Sequence, residues 1–295
     1  MGGGGARGFA HIGVLQVLRE AGYPIDFVAG TSMGAVVGAM YAETLNPLEI
    51  ENRFVAFLES DAFRATGIPR LQARDDQEMS FWNQITSEIR GRLAINLAQS
   101  RQALIKSERL HRALEMLIRI RDFSECRVPM RIIATDILNG QDVVFNQGDL
   151  LLALGASSSV PGFLPPVHYN GQLLSDGGIS CPVPVSYARP EQEMIVIGVA
   201  VPPPMKRSAS LDNAIEIMSR AEQITSHYYS TSQMMHADVQ ISPKTENIMW
   251  SEFTRLPEMI EAGRDAAERA LPVLEEVLHQ HLPWWQRVKK VFSTA

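Results

Sequence analysis

The first apolar positions of the chain follow a helical period and then give way to a short continuous run. Over residues 9–21, FAHIGVLQVLREA, apolar side chains recur every three or four positions, which predicts a helix ended by Gly22. Residues 25–29, IDFVA, are typical of a short buried strand, and helical spacing returns over residues 35–45. A helix, a strand, a turn and a second helix in this order indicate an α/β fold.

The next stretch, residues 46–125, is more polar and mostly helical in its pattern. A run from residue 79 to residue 120 contains no proline, so helices can continue through much of it. We expect these helices to form a cap over one end of the sheet.

Strand patterns return in the middle of the chain. Residues 130–137 and 142–146 are short apolar runs separated by the turn NGQ, and residues 193–201, EMIVIGVAV, predict a buried strand. Residues 148–159 lie between them and have the pattern of a helix that Asp149 caps.

The last part of the chain predicts two helices, residues 210–236 and 256–281, around a short strand at 237–242. No linker divides the sequence, which predicts one domain over residues 1–295. Its core, its cap and its C-terminal helices are assigned to residues 2–201, 46–125 and 210–292.

The composition narrows the class of protein. With 45% apolar and 20% charged residues among 295, the chain is typical of a globular protein with a substantial core. A formal net charge of −6 does not favour nucleic acid as a partner. Cys126 and Cys181 match no metal or redox spacing, so free thiols in a reducing compartment are the simplest interpretation, with one disulfide as the alternative. The absence of any run of ~20 apolar residues and of a signal-peptide h-region predicts a cytoplasmic protein.

A serine stands between two glycines where the first strand is expected to turn into a helix. In Gly30-Thr31-Ser32-Met33-Gly34, small residues allow a sharp bend, and the following helix N-terminus favours negative charge that develops near Ser32. This context predicts a nucleophile elbow. The alternative is a turn whose glycines merely pack against a sheet.

The glycine-rich start, residues 2–8 (hereafter the glycine segment), precedes the first predicted helix. A dinucleotide site would need an acidic residue at the end of the next strand, but Asp26 opens its strand, and no Walker lysine follows. Consecutive glycines can instead aim backbone N–H groups at an oxyanion. Arg7 either adds positive charge to such a site or locks the segment through a salt bridge.

Asp176-Gly177-Gly178 provides a carboxylate at a predicted strand end, where a general base for Ser32 can be held in place. Taken alone, the tripeptide is an ordinary turn. His227 and His236 follow Asp176 in the order of a conventional triad, but both belong to a predicted helix, so a Ser-Asp dyad explains the sequence with fewer demands.

Together these motifs resemble the patatin-like phospholipases. The order and approximate spacing of GGGARG (3–8), GTSMG (30–34) and DGG (176–178) agree with that family, and so does ALGASSSVPGFLPPV (153–167). The similarity runs from Gly2 to about Val201.

The resemblance implies a three-layer α/β/α fold with a central, mostly parallel sheet, a nucleophile elbow and a helical cap. It implies that Ser32 is the nucleophile and Asp176 the base, with no metal or cofactor. The oxyanion hole is assigned to the amides of Gly3, Gly4 and Gly5. Further glycines complete the three motifs: Gly8, Gly30, Gly34, Gly177 and Gly178.

One departure from the family concerns the strand that usually precedes the glycine segment. Met1 stands where that strand would end. Three explanations stay open: a misassigned start, a fragment of a longer chain, or a strand supplied in another way.

The implied activity is that of a serine lipid acyl hydrolase, of phospholipase, lysophospholipase or esterase type, acting on a lipid or acyl-ester substrate through an acyl-Ser32 intermediate. Acyl transfer on the same dyad, or a catalytically weak regulatory or interaction protein, are the alternatives, and the oligomeric state stays open. Val160, Phe163, Leu164 and Val167 suit a wall of the acyl site or plain core packing.

Two further stretches contain apolar side chains, one at the C-terminus and one within the predicted cap. HLPWWQRVKKVF (281–292) combines aromatic and cationic side chains, which suits a peripheral membrane contact. Its short length favours the alternative of a terminal helix docked on the protein. MSFWNQI (79–85) is expected to be core helix, with the mouth of the site as the alternative.

Overall fold

A computed structural model of the chain describes residues 1–66, 105–190, 194–203, 205, 211, 214–245 and 248–281. Helices and strands alternate through much of this part, which is the pattern of an α/β protein. The helices are α1 (Ala10–Glu20), α2 (Met33–Thr44), α3 (Pro47–Glu59), α4 (Asp61–Thr66), α5 (Ser107–Leu117), α6 (Leu150–Ser157), α7 (Ala214–Met234) and α8 (Leu256–His281). The strands are β1 (Val28–Thr31), β2 (Met130–Asp136), β3 (Gln141–Phe145), β4 (Val167–Tyr169), β5 (Gln172–Asp176), β6 (Ile197–Val199) and β7 (Val239–Ile241).

The larger sheet is organised around β2. Strand β1 pairs with β2 in parallel, whereas β3 and β5 pair with it antiparallel. Strand β4 is antiparallel to β5 and therefore runs in the same direction as β1 and β2. Strands β6 and β7 form a separate parallel pair. The predicted α/β fold class is confirmed.

The first two residues lie between the two sheets. The Met1 ammonium donates to the Ala29 carbonyl oxygen (2.9 Å), and the Thr31 N–H donates to the Met1 carbonyl oxygen (3.2 Å). The Gly2 N–H donates to the carbonyl oxygen of Val199 in β6 (2.9 Å). Backbone hydrogen bonds through Met1 and Gly2 therefore connect β1 with β6.

Helices α1 and α8 pack against each other closely enough for backbone contact. A Cβ atom at Gly13 would lie 1.9 Å from the Ile260 carbonyl oxygen, and one at Gly263 would lie 1.9 Å from that of Ala10. Apolar side chains of both helices continue this contact onto β6 and β7. The largest buried cluster joins α2, α3 and α6 to β1 and β2.

Most predicted helices are confirmed, and the differences concern strand ends. The strand predicted at 25–29 is wrong in position: β1 is Val28–Thr31, because pairing with β2 begins only at Val28. Residues 194–201 of the strand predicted over 193–201 are described, and among them the strand is reduced to β6, the three residues that pair with β7 in register. Residues 67–104, including MSFWNQI, and the C-terminal stretch from residue 282 lie outside the described residues.

Candidate active site

Ser32 occupies the bend between β1 and α2. Its backbone angles, φ 51° and ψ −124°, place it in a conformation that residues other than glycine seldom adopt. Room for the bend depends on Gly30, because a Cβ atom there would lie 2.5 Å from the Cα of Ala35. Ser32 is 9% exposed and stands at the N-terminus of α2, where the helix dipole favours negative charge.

Asp176 lies at the end of β5, and the pairing of β2 brings it to Ser32. Thr31, which precedes Ser32, pairs with Ile133, and Asp176 pairs with Ala134. The last residue of β1 and the last residue of β5 thus pair with two consecutive residues of β2. Strands from distant parts of the sequence therefore end at neighbouring positions of β2, one on each side of it.

The Asp176 carboxylate is 6% exposed and hydrogen-bonded. Burial raises its pKa to about 6, while hydrogen bonds from the Ser32 side chain and the Gly178 N–H act in the opposite direction. The Gly178 N–H donates to Oδ1 at 2.7 Å. An aspartate with this pKa is ionised at neutral pH and is a stronger base than an exposed aspartate.

Neighbouring groups fix the backbone of Asp176. The Thr135 hydroxyl donates to the carbonyl oxygen of Asp176 (3.0 Å), and the Asp176 N–H donates to the carbonyl oxygen of Ser159 (2.9 Å). A Cβ atom at Gly177 would lie 2.2 Å from the carbonyl oxygen of Ile133. The position after Asp176 therefore has no room for a side chain.

The three glycines expected to form an oxyanion hole differ in their surroundings. A Cβ atom at Gly3 would lie 3.2 Å from the Cβ of Ser32, but the Gly3 N–H already donates to the carbonyl oxygen of Pro182 (3.0 Å). Gly4 and Gly5 stand at the start of a 3-10 helix, where N–H groups have no acceptor within the helix. Neither donates a backbone hydrogen bond elsewhere in the described residues.

The glycine segment packs directly on the nucleophile helix. A Cβ atom at Gly34 would lie 2.4 Å from the carbonyl oxygen of Met1, and one at Gly8 would lie 2.4 Å from the Cγ of Met33. The His11 side chain, which is fully buried, forms a 2.8 Å hydrogen bond through Nε2 to the Gly2 carbonyl oxygen. Burial lowers the pKa of His11 to about 3, so its ring is neutral and donates this bond at pH 7.

Arg7 is buried, and burial lowers its pKa to about 10. Within the described part of the chain, its Nε has no hydrogen-bond partner and its guanidinium forms no salt bridge. The structure therefore gives no support to the alternative in which a salt bridge of Arg7 locks the segment.

Several side chains around the site have no signature in the local sequence. Ser157 accepts a hydrogen bond from the Ser32 N–H (2.9 Å), and Thr135 and His11 hold the backbone of Asp176 and Gly2. The serines of residues 157–159 stand out in the sequence only as part of the family-like stretch 153–167. Their long-range partners leave no pattern in the local sequence.

The described residues also bear on the cysteines, on metal ligation and on membrane-spanning helices. Cys126 and Cys181 are free thiols. In the described ranges, no group of three or more His, Cys, Asp or Glu side chains is arranged to hold a metal ion. No helix described by the structure is both long enough and apolar enough to cross a membrane.

Comparison with known proteins adds independent findings. The family model for patatin-like phospholipase matches residues 1–189. An uncharacterized NTE family protein of Mycobacterium tuberculosis is 30% identical over 296 residues, covering 92% of this chain and 46% of the relative. Patatin-like phospholipase domain-containing protein 6 of Mus musculus is 30% identical over 204 residues, covering 68% of this chain and 13% of the relative.

A structural neighbour has the same fold. VipD from Legionella pneumophila superposes with a TM-score of 0.51 at 14% identity, covering 92% of this chain and 65% of VipD. This chain spans less than half the length of the curated relatives it matches.

Proposed function

Because this chain belongs to the patatin-like phospholipase family, we propose that it is a lipid acyl hydrolase that cleaves carboxylic esters through Ser32 and Asp176. The proposal is supported by the pairing of β1 and β5 with neighbouring residues of β2, which brings a serine at a strained helix N-terminus to a buried aspartate. The Ser32 side chain also lowers the pKa of that aspartate. Nucleophile and base are then neighbours in the fold before substrate binds.

In the proposed reaction, Asp176 accepts the hydroxyl proton of Ser32 as Oγ attacks the ester carbonyl carbon. The tetrahedral intermediate collapses when the carbon–oxygen bond to the alcohol breaks, and Asp176 returns the proton to the leaving oxygen. Water then gives a proton to Asp176 and attacks the acyl-Ser32 ester, which releases the fatty acid and restores the serine.

We assign the oxyanion donors to the N–H groups of Gly4 and Gly5, supported by their position at the start of the 3-10 helix. The role of Gly3 is then steric: it leaves space beside the Ser32 side chain. The dipole of α2 adds to the stabilisation of the oxyanion.

The apolar wall of the acyl site is assigned to Phe163 and Leu164. Both pack with Trp250 in a small buried cluster, and the rings of Phe163 and Trp250 meet edge to face at 5.1 Å. The Trp250 carbonyl oxygen accepts the N–H of Ala6 in the glycine segment (2.7 Å). This contact supports a place for the cluster beside the reacting centre.

A fluorophosphonate probe, which reacts with activated serine hydroxyls, tests the nucleophile without knowledge of the substrate. We expect labelling of the wild-type protein and none of Ser32→Ala. Ser158→Ala is a matched control, because the Ser158 hydroxyl has no hydrogen-bond partner among the described residues, and it should label like the wild type. An unlabelled wild-type protein would contradict the proposal and favour a regulatory or interaction protein.

Hydrolysis of a p-nitrophenyl ester with and without an added alcohol separates hydrolase from acyltransferase. For a hydrolase, free fatty acid remains the main product when the alcohol is present. A dominant new ester that disappears in Ser32→Ala would assign acyl transfer to the same dyad.

We also propose peripheral contact with a lipid surface through an apolar rim, defined as Ile137, Leu138 and Ile179. These side chains are 44%, 63% and 47% exposed. Ile137 and Leu138 follow β2 directly, and Ile179 lies three residues after Asp176. Exposed apolar side chains that follow β2 and Asp176 along the chain suit an enzyme whose substrate lies in a lipid layer.

A further inference from the structure

The Ser157 hydroxyl forms two hydrogen bonds at the end of α6. It accepts the N–H of Ser32 (2.9 Å) and donates to the carbonyl oxygen of Ile133 in β2 (2.6 Å). Ser157 is fully buried, so water does not compete for either bond. The hydroxyl therefore ties the backbone of the proposed nucleophile to the strand beside it.

The Ser32 backbone has a particular need for such a partner. Its strained conformation turns the chain out of the sheet, so its N–H is lost to the regular strand ladder. A buried N–H without an acceptor is costly, and the Ser157 Oγ satisfies it. A change at residue 157 therefore acts on the orientation of Ser32.

The same short segment also holds Asp176. The carbonyl oxygen of Ser159 accepts the Asp176 N–H (2.9 Å) and the Ser175 hydroxyl (2.6 Å). Ser157 and Ser159, two positions apart, thus bind the backbone of Ser32 and of Asp176 respectively. Ile133 links the two sides, since its carbonyl oxygen accepts the Ser157 hydroxyl and also lies close to Gly177, the residue after Asp176.

We propose that Ser157 is a positioning residue for the nucleophile, which sets the Ser32 backbone so that its hydroxyl reaches Asp176. This inference rests on the proposed function, because it concerns the same dyad. Ser157 contacts no reacting atom; it acts through Ser32.

The test compares Ser157→Ala with Ser158→Ala. The adjacent Ser158 hydroxyl has no hydrogen-bond partner in the part of the chain that the structure describes, so its removal is expected to leave kcat within twofold of the wild type. Ser157→Ala is expected to lower kcat by about 10- to 100-fold with little change in KM for a soluble ester, because a misplaced nucleophile slows chemistry rather than binding.

A pH profile separates positioning from a general loss of folded protein. The hydrogen bond from Ser32 lowers the pKa of Asp176, so a displaced Ser32 raises that pKa. The acidic limb of kcat/KM should move to higher pH in Ser157→Ala and stay in place in Ser158→Ala. A smaller amount of folded enzyme would lower the rate without moving the limb.

Hydrogen exchange provides a readout that does not depend on activity. The amide of Ser32 should exchange at least tenfold faster in Ser157→Ala than in the wild type. If Ser157→Ala does not fold, Ser157→Cys, which keeps the size and a weak acceptor, is expected to give an intermediate kcat.

The outcomes distinguish the two proposals. An inactive and unlabelled wild-type protein contradicts the proposed function. The role of Ser157 alone is overturned if the wild type is active and a folded Ser157→Ala or Ser157→Cys behaves like it. That means an unchanged kcat, an unchanged acidic limb of the pH profile and an unchanged exchange rate of the Ser32 amide. Equal losses in Ser157→Ala and Ser158→Ala would also overturn it.

Discussion

At the scale of single residues, the surroundings of Asp176 determine its chemistry. Burial disfavours the ionised carboxylate, whereas the Ser32 and Gly178 hydrogen bonds favour it, and burial is the larger effect. The carboxylate thereby gains basicity and still loses its proton below neutral pH. Its ionisation should be visible in both kinetics and stability.

The kinetic prediction concerns the acidic limb of the pH profile. Asp176 accepts a proton only when ionised, so kcat/KM should fall about tenfold per unit as pH drops below about 6. Initial rates on a soluble ester between pH 4 and 8 measure the limb. A limb near the pKa of an exposed aspartate would contradict the buried environment.

The stability prediction uses Asp176→Asn, which removes the charge and keeps an acceptor. In the folded protein the pKa of Asp176 is raised from 3.8 to about 6, so its stabilising contribution is present at low pH and is lost as pH rises through this range. The variant should gain up to about 3 kcal/mol in unfolding free energy relative to wild type between pH 4 and pH 6, and nothing further above that. Urea unfolding at several pH values measures the difference in unfolding free energy between variant and wild type. A difference that does not change with pH would contradict the raised pKa of Asp176.

The sequence was sufficient to nominate Ser32 and Asp176, because each lies in a short motif with its own glycines. Close contacts explain those glycines, since a side chain at Gly34 or Gly177 would overlap the backbone. The partnership of Ser157 with Ser32 could not be predicted in this way. It depends on how α6 meets β2, and no local pattern encodes that contact.

At the scale of elements, helices were easier to predict than strands. The cap at Asp149 is a local contact, since its side chain accepts the Leu152 N–H, and α6 begins where expected. Strand ends instead depend on the partner strand, as the displacement of β1 toward Thr31 illustrates. Pairing across long sequence separations is absent from any window of neighbouring residues.

The glycine segment gives a prediction at this scale. His11→Ala removes the donor to the Gly2 carbonyl oxygen and leaves a buried cavity. We expect a loss of about 2–4 kcal/mol in unfolding free energy and slower fluorophosphonate labelling of Ser32. His111→Ala, a change at an exposed histidine of α5, is the control. Unchanged stability and labelling in His11→Ala would show that the bond is dispensable.

At the scale of the whole molecule, the apolar rim predicts an effect on lipid but not on soluble substrate. Leu138→Asp should weaken binding to phosphatidylcholine vesicles several-fold and leave hydrolysis of a short-chain ester within twofold. Leu48→Asp is the matched control, because Leu48 is 61% exposed and lies in the first turn of α3, where a carboxylate is tolerated. Sedimentation with vesicles measures binding, and equal effects of both changes would contradict a specific rim.

The meeting of β1 and β5 on adjacent residues of β2 has a consequence for how the protein acquires activity. Ser32 and Asp176 are far apart along the chain, so their encounter requires both strands to find the correct register on one central strand. A shift by a single position at either junction would separate hydroxyl from carboxylate. Recovery of turnover during refolding should therefore wait until both β1 and β5 have paired with β2 in the correct register. The specific activity of a preparation then measures the fraction of molecules in which both pairings are correct.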